Sequence, residues 1–320
     1  MRWQPHPTKV IMKKKVAISI GDLNGIGIQL ALENHHAISK LVTPIYCIDK
    51  KMLEQAAKKL GLTIPDDFKT TENIAPSFEI EAGVVSADSG KYAFSSFTTA
   101  VALAREKQVD AICTLPIHKK AWERADIHYV GHTDALRDFF DAEAIMMLGC
   151  DKMYVALFTE HIPLKEVANA INEKDLTRFL IDFYHTAKPT STVAVLGLNP
   201  HAGDDGVLGD EERIIQKAID NATAMLKKEI PSLFTAPMVP DVAFTPNVRK
   251  HYTHYIAMYH DQGLAPLKAL YFDEGINVSL NLPILRTSVD HGTAFDIAYK
   301  RVKLNNLSYI NAIQYIKAFR

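Results

Sequence analysis

Three histidines follow strongly apolar segments of the sequence, and their side chains are suited to binding a metal ion: His161, His201 and His260. In an open α/β sheet, ligands bind at the carboxyl ends of the strands. Three imidazoles at such ends could hold one divalent cation and leave coordination positions open for a substrate. No short spacing such as HxxxH accompanies them. The alternative is that each is only a polar residue where a strand meets a loop.

The segment 259–268, YHDQGLAPLK, interrupts an apolar context with polar residues directly after a predicted strand. Asp261 could orient an imidazole or accept a proton. Lys268 could bind a carboxylate or a phosphate. The competing interpretation is a turn that carries a solvated lysine.

Two further segments contain candidate anion ligands. Arg286 follows an apolar run and could make a bidentate contact, and Asn277 precedes it on another predicted strand. In Gly131-His132-Thr133-Asp134, Thr133 is predicted to be the N-cap of a helix whose free amides favour an anion, with His132 as an added donor. Capping alone would also explain this string.

The string 288–298, SVDHGTAFDIA, has the features of a ligand-binding loop. Gly292 would let the backbone pass close to a ligand, and Thr293 is predicted to cap a helix that begins near Phe295. Such a helix N-terminus can bind a nucleotide phosphate. The alternative is a capped C-terminal helix without a ligand.

The glycine-rich segment 21–27, GDLNGIG, follows the first predicted strand. It does not match GxGxxG, and no acidic residue is suitably placed about 20 positions later, so a Rossmann dinucleotide site is rejected. We expect a tight strand-to-helix turn that leaves Asp22 available to a site.

Short apolar runs alternate with helical patterns along most of the chain, which predicts an α/β fold with a largely parallel sheet. The predicted strands are 16–20, 44–48, 110–114, 144–148, 153–158, 192–197, 241–244, 255–258 and 277–280. The helical candidates include 95–107, 133–140, 164–170 and 210–228.

Composition excludes several classes of protein. The 320 residues contain 36 Lys and Arg against 37 Asp and Glu, which argues against nucleic acid or a membrane surface as the main partner. No apolar run reaches the roughly 20 residues that span a bilayer. The three cysteines are far apart, which fits a reducing cytoplasm. The histidines at 35, 36, 128 and 185 are expected at the surface.

The length predicts about two domains. We predict a first α/β domain from residues 12–129 and 286–320, on the nucleotide side. Residues 130–285 would form a second α/β domain with the metal, substrate and dimer contacts. Residues 1–11 lack the apolar core of a signal peptide and are expected to be a loose extension.

Taken together, the motifs resemble those of the 4-hydroxythreonine-4-phosphate dehydrogenases of pyridoxal phosphate (vitamin B6) biosynthesis. They run in order from residue 21 to residue 298: GDxxGIG, GHTD, HIPL, LNPHAG, YHDQGLAPLK and LRTSVDHGTAFDIA. The resemblance implies an isocitrate/isopropylmalate dehydrogenase-like fold with two α/β/α domains around a cleft, and a homodimer.

The resemblance also implies the reaction. An NAD- or NADP-dependent enzyme oxidises 4-phosphohydroxy-L-threonine to 2-amino-3-oxo-4-phosphooxybutanoate, which loses carbon dioxide to give 3-amino-2-oxopropyl phosphate. One divalent ion, zinc, cobalt or magnesium, would be bound by His161, His201 and His260, with His260 supplied by the partner subunit. Lys268 or Asp261 would assist proton transfer.

Other positions carry over by their motifs. The expected substrate contacts are His132, Thr133, Lys268, Asn277 and Arg286. The expected cofactor contacts are His291, Gly292, Thr293 and Asp296. No arginine cluster for a 2′-phosphate adjoins this loop, so the choice between NAD and NADP is open with a preference for NAD.

The sequence departs from the family pattern at three places. The usual GDPAGIGPE is GDLNGIGIQ from Gly21 to Gln29, GHTE is GHTD, and His118 stands where asparagine is more common. These changes leave open a related substrate, such as 4-phospho-D-erythronate or phospho-threonate. Two further alternatives are a metal-independent phosphate acetyltransferase-like enzyme and an inactive homologue that acts as a binding module.

Overall fold

Nine β-strands form one mixed sheet in the part of the chain that the structure describes. The computed structural model describes residues 13–72, 74–226 and 233–319, so the predicted extension 1–11 lies outside it. The strands are β1 Lys15–Ser19, β2 Thr43–Cys47, β3 Ala111–Thr114, β4 Ile145–Cys150, β5 Met153–Leu157, β6 Ala194–Val195, β7 His254–Ala257, β8 Ile276–Leu280 and β9 Leu285–Val289.

Helices connect these strands and cover the sheet. They are α1 Gly27–Leu41, α2 Lys50–Leu60, α3 Ala87–Arg105, α4 Lys119–Arg124, α5 His132–Phe140, α6 Leu164–Ala170, α7 Glu173–Ala187, α8 Glu211–Met225, α9 Pro240–Ala243, α10 Pro246–Arg249, α11 His260–Tyr271 and α12 Leu307–Ala318. The segment Pro200–Gly206 forms tight turns with left-handed backbone angles. None of the described helices is long and apolar enough to cross a bilayer.

The strand order is β2-β1-β3-β9-β8-β4-β5-β7-β6. Five neighbouring pairs are parallel, and the three pairs β9-β8, β8-β4 and β4-β5 are antiparallel. The α/β prediction is confirmed, but the sheet is mixed at its centre. The sequence pattern missed β9, whose residues at 286–288 are polar.

The two faces of the sheet are covered differently. One face packs against a single continuous apolar cluster that includes side chains of α1, α2, α7, α8 and α12. The other face has two separate clusters, one with α3, α4 and α5 and one with α11. A cleft lies between these two clusters, over the middle of the sheet.

Several local predictions were wrong. The segment 241–244 is not a strand but overlaps α9, because Pro240 at the first turn favours a helix. No helix begins near Phe295, where the structure has turns, so Thr293 caps none. His35 is buried, not exposed, and its ring nitrogens contact Tyr46 and Asp67 at 3.0 and 2.9 Å.

The division into domains stays a prediction, because one sheet runs through both parts. Strand β9 pairs with β3 on one side and with β8 on the other. The proposed boundary at residue 286 therefore falls inside a strand.

Candidate active site

A row of polar side chains crosses the cleft face of the sheet. Side chains alternate between the faces of a strand, so Arg286 and Ser288 of β9 point to the same side. The register sets Arg286 opposite Ser279 and Ser288 opposite Asn277 on β8. Their apolar neighbours in sequence lie in the core on the opposite face. The sheet thus presents polar groups to the gap between the two helical clusters.

This gap is a cavity of about 780 Å³. Eight of the predicted site residues line it: His132, Thr133, His161, His260, Lys268, Asn277, Arg286 and His291. Five do not line it: His201, Asp261, Gly292, Thr293 and Asp296. The predicted substrate residues are therefore brought together, and the predicted metal and cofactor sets only in part.

Arg286 is a buried cation at the floor of the cavity, with 2% of its surface exposed. Its guanidinium donates to Thr114 Oγ1 at 2.7 and 3.1 Å and to Ser279 Oγ at 3.1 Å. Burial lowers its pKa to about 10, so it stays charged at neutral pH. No carboxylate of the described residues pairs with it. A buried guanidinium without an acidic partner is suited to binding an anionic ligand.

The N-terminus of α5 meets this cation. Gly131 is the N-cap, so Thr133 is the second helical residue and not the cap that the sequence predicted. Thr133 Oγ1 lies 3.5 Å from Ser279 Oγ. The His132 ring packs edge-on against Phe97, with 4.8 Å between ring centroids. Burial, with Arg286 as the smaller cause, lowers the His132 pKa well below its usual value, so this imidazole is neutral.

Three polar atoms at the cavity have no hydrogen-bond partner among the described residues. They are His132 Nε2, Asn277 Oδ1 and His291 Nε2. Buried polar atoms in native proteins are almost always paired, and each unpaired atom costs about 1–3 kcal/mol. All three residues were predicted from the sequence to contact substrate or cofactor. The unpaired atoms therefore point to a polar ligand in the cavity.

Two of the three predicted metal ligands meet at the rim of the cavity. The rings of His161 and His260 are 5.7 Å apart between centroids. His260 Nδ1 lies 2.7 Å from Asp261 Oδ1, which leaves Nε2 free to bind a metal. This donor set fits a cation that accepts imidazole, such as zinc or cobalt.

His201 does not join them. It lies in the exposed segment Pro200–Gly206 after β6, where the backbone of His201 has a left-handed φ of 54°. The three histidines do not form a group of ligand atoms within 4.8 Å among the described residues. The group that meets this distance, Cys150, Asp151 and Glu274, lies outside the cavity. Both carboxylate oxygens of Glu274 already accept from Lys152.

Asp290 is a cavity residue that the sequence reasoning did not select. Its Oδ2 lies 3.3 Å from Lys268 Nζ, and 15% of its side chain is exposed. Burial raises its pKa, and the Lys268 charge opposes this shift. The backbone N–H of Asp290 donates to Ser308 Oγ at 3.0 Å, which fixes the loop. The polar run directly after β9 was the signal that could have identified it.

Arg137 and Glu160 form a second pair that was missed. Arg137 Nη2 donates to Glu160 Oε1 at 2.6 Å and to the Ala144 carbonyl at 2.8 Å. Arg137 is one helical turn after Thr133, so both face the cavity. Glu160 directly precedes His161. The pair therefore connects α5, whose first turn lies beside Arg286, to the histidines at the rim.

The predicted cofactor loop has little contact with the cavity. A side chain at Gly292 would meet open space, Asp296 is exposed, and Thr293 is buried. The Thr293 carbonyl accepts from Ile26 N at 3.1 Å. A Cβ on Gly25 would lie 2.9 Å from that of Thr293, so glycine is required there. The loop is thus held against the GDLNGIG turn, and of the four predicted cofactor residues only His291 reaches the cavity.

The GDLNGIG turn does not offer Asp22 to a site, contrary to the prediction. Asp22 is fully buried and accepts from Asn24 N at 2.9 Å and from Ser89 Oγ at 3.2 Å. Asn24, one of the departures from the family pattern, is also buried and fixes the segment around residues 81–84. Its side chain accepts from Glu81 N at 2.9 Å and donates to the Val84 carbonyl at 2.7 Å.

Comparison with known proteins agrees with these findings. The family model described as "Pyridoxal phosphate biosynthetic protein PdxA" matches residues 40–316. A 4-hydroxythreonine-4-phosphate dehydrogenase of Sulfurimonas denitrificans is 57% identical over 302 residues, which cover 94% of this chain and 96% of that protein. The corresponding protein of Campylobacter fetus is 52% identical over the same shares of the two chains.

A solved structure supports the fold. The crystal structure of a 4-hydroxythreonine-4-phosphate dehydrogenase from Burkholderia phymatum matches with a TM-score of 0.78 and 30% identity. The match covers 96% of this chain and 99% of that one. The resemblance recognised in the sequence motifs is therefore confirmed, and this chain belongs to the PdxA family of pyridoxal phosphate biosynthetic proteins.

Proposed function

We propose that this protein is an NAD(P)-dependent, metal-dependent dehydrogenase of 4-phosphohydroxy-L-threonine that works as a homodimer. The secondary alcohol of the substrate loses a hydride to the nicotinamide and a proton to the protein. The resulting 2-amino-3-oxo-4-phosphooxybutanoate then releases carbon dioxide to give 3-amino-2-oxopropyl phosphate. The names of the relatives support the substrate.

The observation that carries the proposal is the buried Arg286 without an acidic partner. A phosphorylated amino acid brings two anionic groups, and a buried cation stabilises one of them strongly because water does not compete. The amides at the start of α5 add partial positive charge beside it. The unpaired Asn277 Oδ1 and His132 Nε2 supply polar contacts for the rest of the ligand. A cavity of about 780 Å³ lies in the usual range for small-molecule sites.

At the rim, His161 and His260 would hold a divalent cation. When bound, such a cation lowers the pKa of a hydroxyl, and the nicotinamide accepts the hydride. Lys268 lines the cavity and is the group we assign to proton transfer. Asp261 does not line it and instead orients the His260 imidazole. The loop with His291, Gly292, Thr293 and Asp296 would contact the nucleotide, an assignment that rests on the family resemblance.

The homodimer is proposed because the metal end is incomplete in one chain. Apolar side chains are exposed beside two of the histidines: Ile162 and Leu164 follow His161, and Val207 and Leu208 follow His201. Exposed apolar groups around an open site mark a protein interface. The sequence predicted that the partner supplies His260. The proximity of His161 and His260 in one chain favours His201 as the residue supplied by the partner.

The activity is tested by NADH formation with purified protein loaded with Zn²⁺ or Co²⁺. The 4-phosphohydroxy-L-threonine and 4-phospho-D-erythronate substrates are compared side by side, with NAD and NADP, with and without a chelator. Chelator-sensitive turnover of the amino acid is expected. Turnover of the sugar acid alone would move the enzyme to a sugar-acid pathway. No turnover of either would overturn the dehydrogenase assignment.

The shared site is tested by mixing inactive subunits. Mixing His201→Ala with His260→Ala subunits should restore about one quarter of the activity, since half of the dimers are mixed and each mixed dimer has one intact site. Mixing His161→Ala with His260→Ala should restore none if both belong to one chain's site. Recovery in the second mixture would instead support His260 as the partner's ligand, and no recovery in either mixture would exclude sharing of these histidines.

A further inference from the structure

The loops that carry His161, His201 and His260 are connected beneath the site by buried hydrogen bonds. They follow β5, β6 and β7. Strand β7 lies between the other two and is parallel to both, so all three loops leave the sheet at the same edge. Thr159 Oγ1 donates to the Met258 carbonyl at 2.6 Å and ties the first loop to the third. Two hydrogen bonds of one further side chain, Gln262, connect the third loop to the second.

Gln262 bridges these loops with both ends of its carboxamide. Its Oε1 accepts from Met258 N at 2.7 Å, and its Nε2 donates to the Gly197 carbonyl at 2.7 Å. Only 9% of Gln262 and 8% of Thr159 is exposed, so water is largely excluded from these bonds. Aspartate and asparagine are too short to span this gap, and glutamate accepts but does not donate when ionised.

Close packing holds Gln262 in place. It lies in the first turn of α11, next to Gly263. A Cβ on Gly263 would lie 2.4 Å from Val155 Cγ1 and 2.9 Å from Ala257 Cβ. The helix therefore rests directly on β5 and β7, which keeps the carboxamide between the loops. Gln262 is not a candidate metal ligand and does not line the cavity, whereas Thr159 lines it but is not a candidate ligand.

We propose that Gln262, with Thr159, is a positioning residue that sets the relative placement of the three histidine loops of one chain, and so also the placement of the His201 that this chain would offer to its partner's site. The proposal rests on the metal site of the proposed function. Replacing a residue that orients a metal ligand without binding the metal typically weakens metal binding by about 10- to 100-fold. The same loss is expected here although every histidine is retained.

The test measures Co²⁺ binding to the full-length protein by chelator competition and by the visible absorption of the bound ion. Gln262→Glu keeps the length and the acceptor for Met258 N but replaces the donor to Gly197 by an oxygen. Thr159→Val keeps the shape and removes the hydroxyl donor. The matched control is Gln108→Glu, the same change at an exposed position. We expect about 10- to 100-fold weaker binding and an altered spectrum for Gln262→Glu, a smaller loss for Thr159→Val and none for the control.

The outcomes separate the two proposals. Wild-type affinity and spectrum in both variants would overturn the positioning role alone. If Gln262→Glu does not fold, Thr159→Val decides by the same criterion, measured well below its melting temperature. If the wild-type protein binds no Co²⁺, the metal of the proposed function is overturned and the role of Gln262 with it.

Discussion

The two ends of the cavity are built in different ways. At the proposed anion-binding end, Arg286, Thr114, Ser279 and the first turn of α5 are buried and bonded to one another within one chain. At the proposed metal end, His161 and His201 are exposed, and apolar side chains beside them are exposed as well. Strands and a helix hold the first group, whereas loops hold the second.

This difference has a physical basis. A buried cation costs several kcal/mol unless its surroundings compensate for the lost water, so its site must be built completely inside the fold. Imidazole side chains that bind metals can lie at a protein surface without a large desolvation cost. The proposed metal site can therefore be completed by the ion and a second subunit after the chain has folded. Substitutions at the first end should therefore affect substrate binding, and those at the second end metal binding.

The largest effect is expected from Arg286→Met. Loss of the buried charge should lower kcat/KM for a phosphorylated substrate by about 30- to 5,000-fold, which corresponds to about 2–5 kcal/mol, the range for a buried charged contact. Without ligand the melting temperature should change little, because removal of the buried charge offsets the hydrogen bonds that Thr114 and Ser279 lose. Arg178→Met is the control, since Arg178 lines the same cavity but its side chain is 61% exposed. Equal losses in both variants would contradict the special role of burial.

Asp22→Asn tests how much a buried carboxylate outside the cavity lowers the stability of the fold. Burial raises the Asp22 pKa to about 6 from the ordinary value of 3.8. Below pH 3.8 the carboxyl is protonated in both states, and Asp22 does not lower the free energy of unfolding. As the pH rises from 3.8 through 6, the unfolded chain gives up this proton more readily, so the free energy of unfolding falls. At pH 8 the asparagine variant should be more stable by up to about 3 kcal/mol, with a smaller gain at pH 5. Urea unfolding at both values measures this, and an equal gain at the two pH values would argue against a titrating Asp22.

Asp290→Asn tests the contact between Asp290 and Lys268, which both line the cavity. Without the carboxylate, Lys268 loses the group that holds its amine in position, so kcat should fall about 10- to 100-fold while KM changes little. Steady-state kinetics at saturating cofactor provide the measurement, and Asp151→Asn, an exposed position outside the cavity, is the control. A change in KM alone would assign Asp290 to ground-state binding.

The smallest effect is expected from Glu160→Gln. It weakens the link between Arg137 on α5 and the loop of His161 but keeps the shape of the side chain. Metal affinity should fall about tenfold. Combining it with Arg137→Met should add little, because both changes break the same contact. Fully additive losses in a chelator-competition assay would show that the two residues act separately.

The sequence motifs selected several residues that the fold brings to one cavity, but they missed parts of the local structure around it. Arg286, Asn277 and Thr133 were identified by their residue types and motifs, and all three line the cavity. Strand β9 was missed because its cleft-facing residues are polar, so no apolar run marks it. Helix α11 was missed because Gly263 and Pro266 usually interrupt a helix. Its packing against β5 requires the glycine. The proline removes one helical hydrogen bond, and packing of the helix on the sheet offsets this loss.

By itself, the sequence determined the α/β fold, the polar groups available for chemistry and the family to which the chain belongs. These follow from periodicity and from motifs that depend only on the order of residues. The tertiary structure decided which candidates meet: Asp22 was removed from the site, Asp290 and Glu160 entered it, and His201 stayed apart from His161. Such distances depend on strand order, register and packing between segments far apart in the chain, which local patterns do not encode.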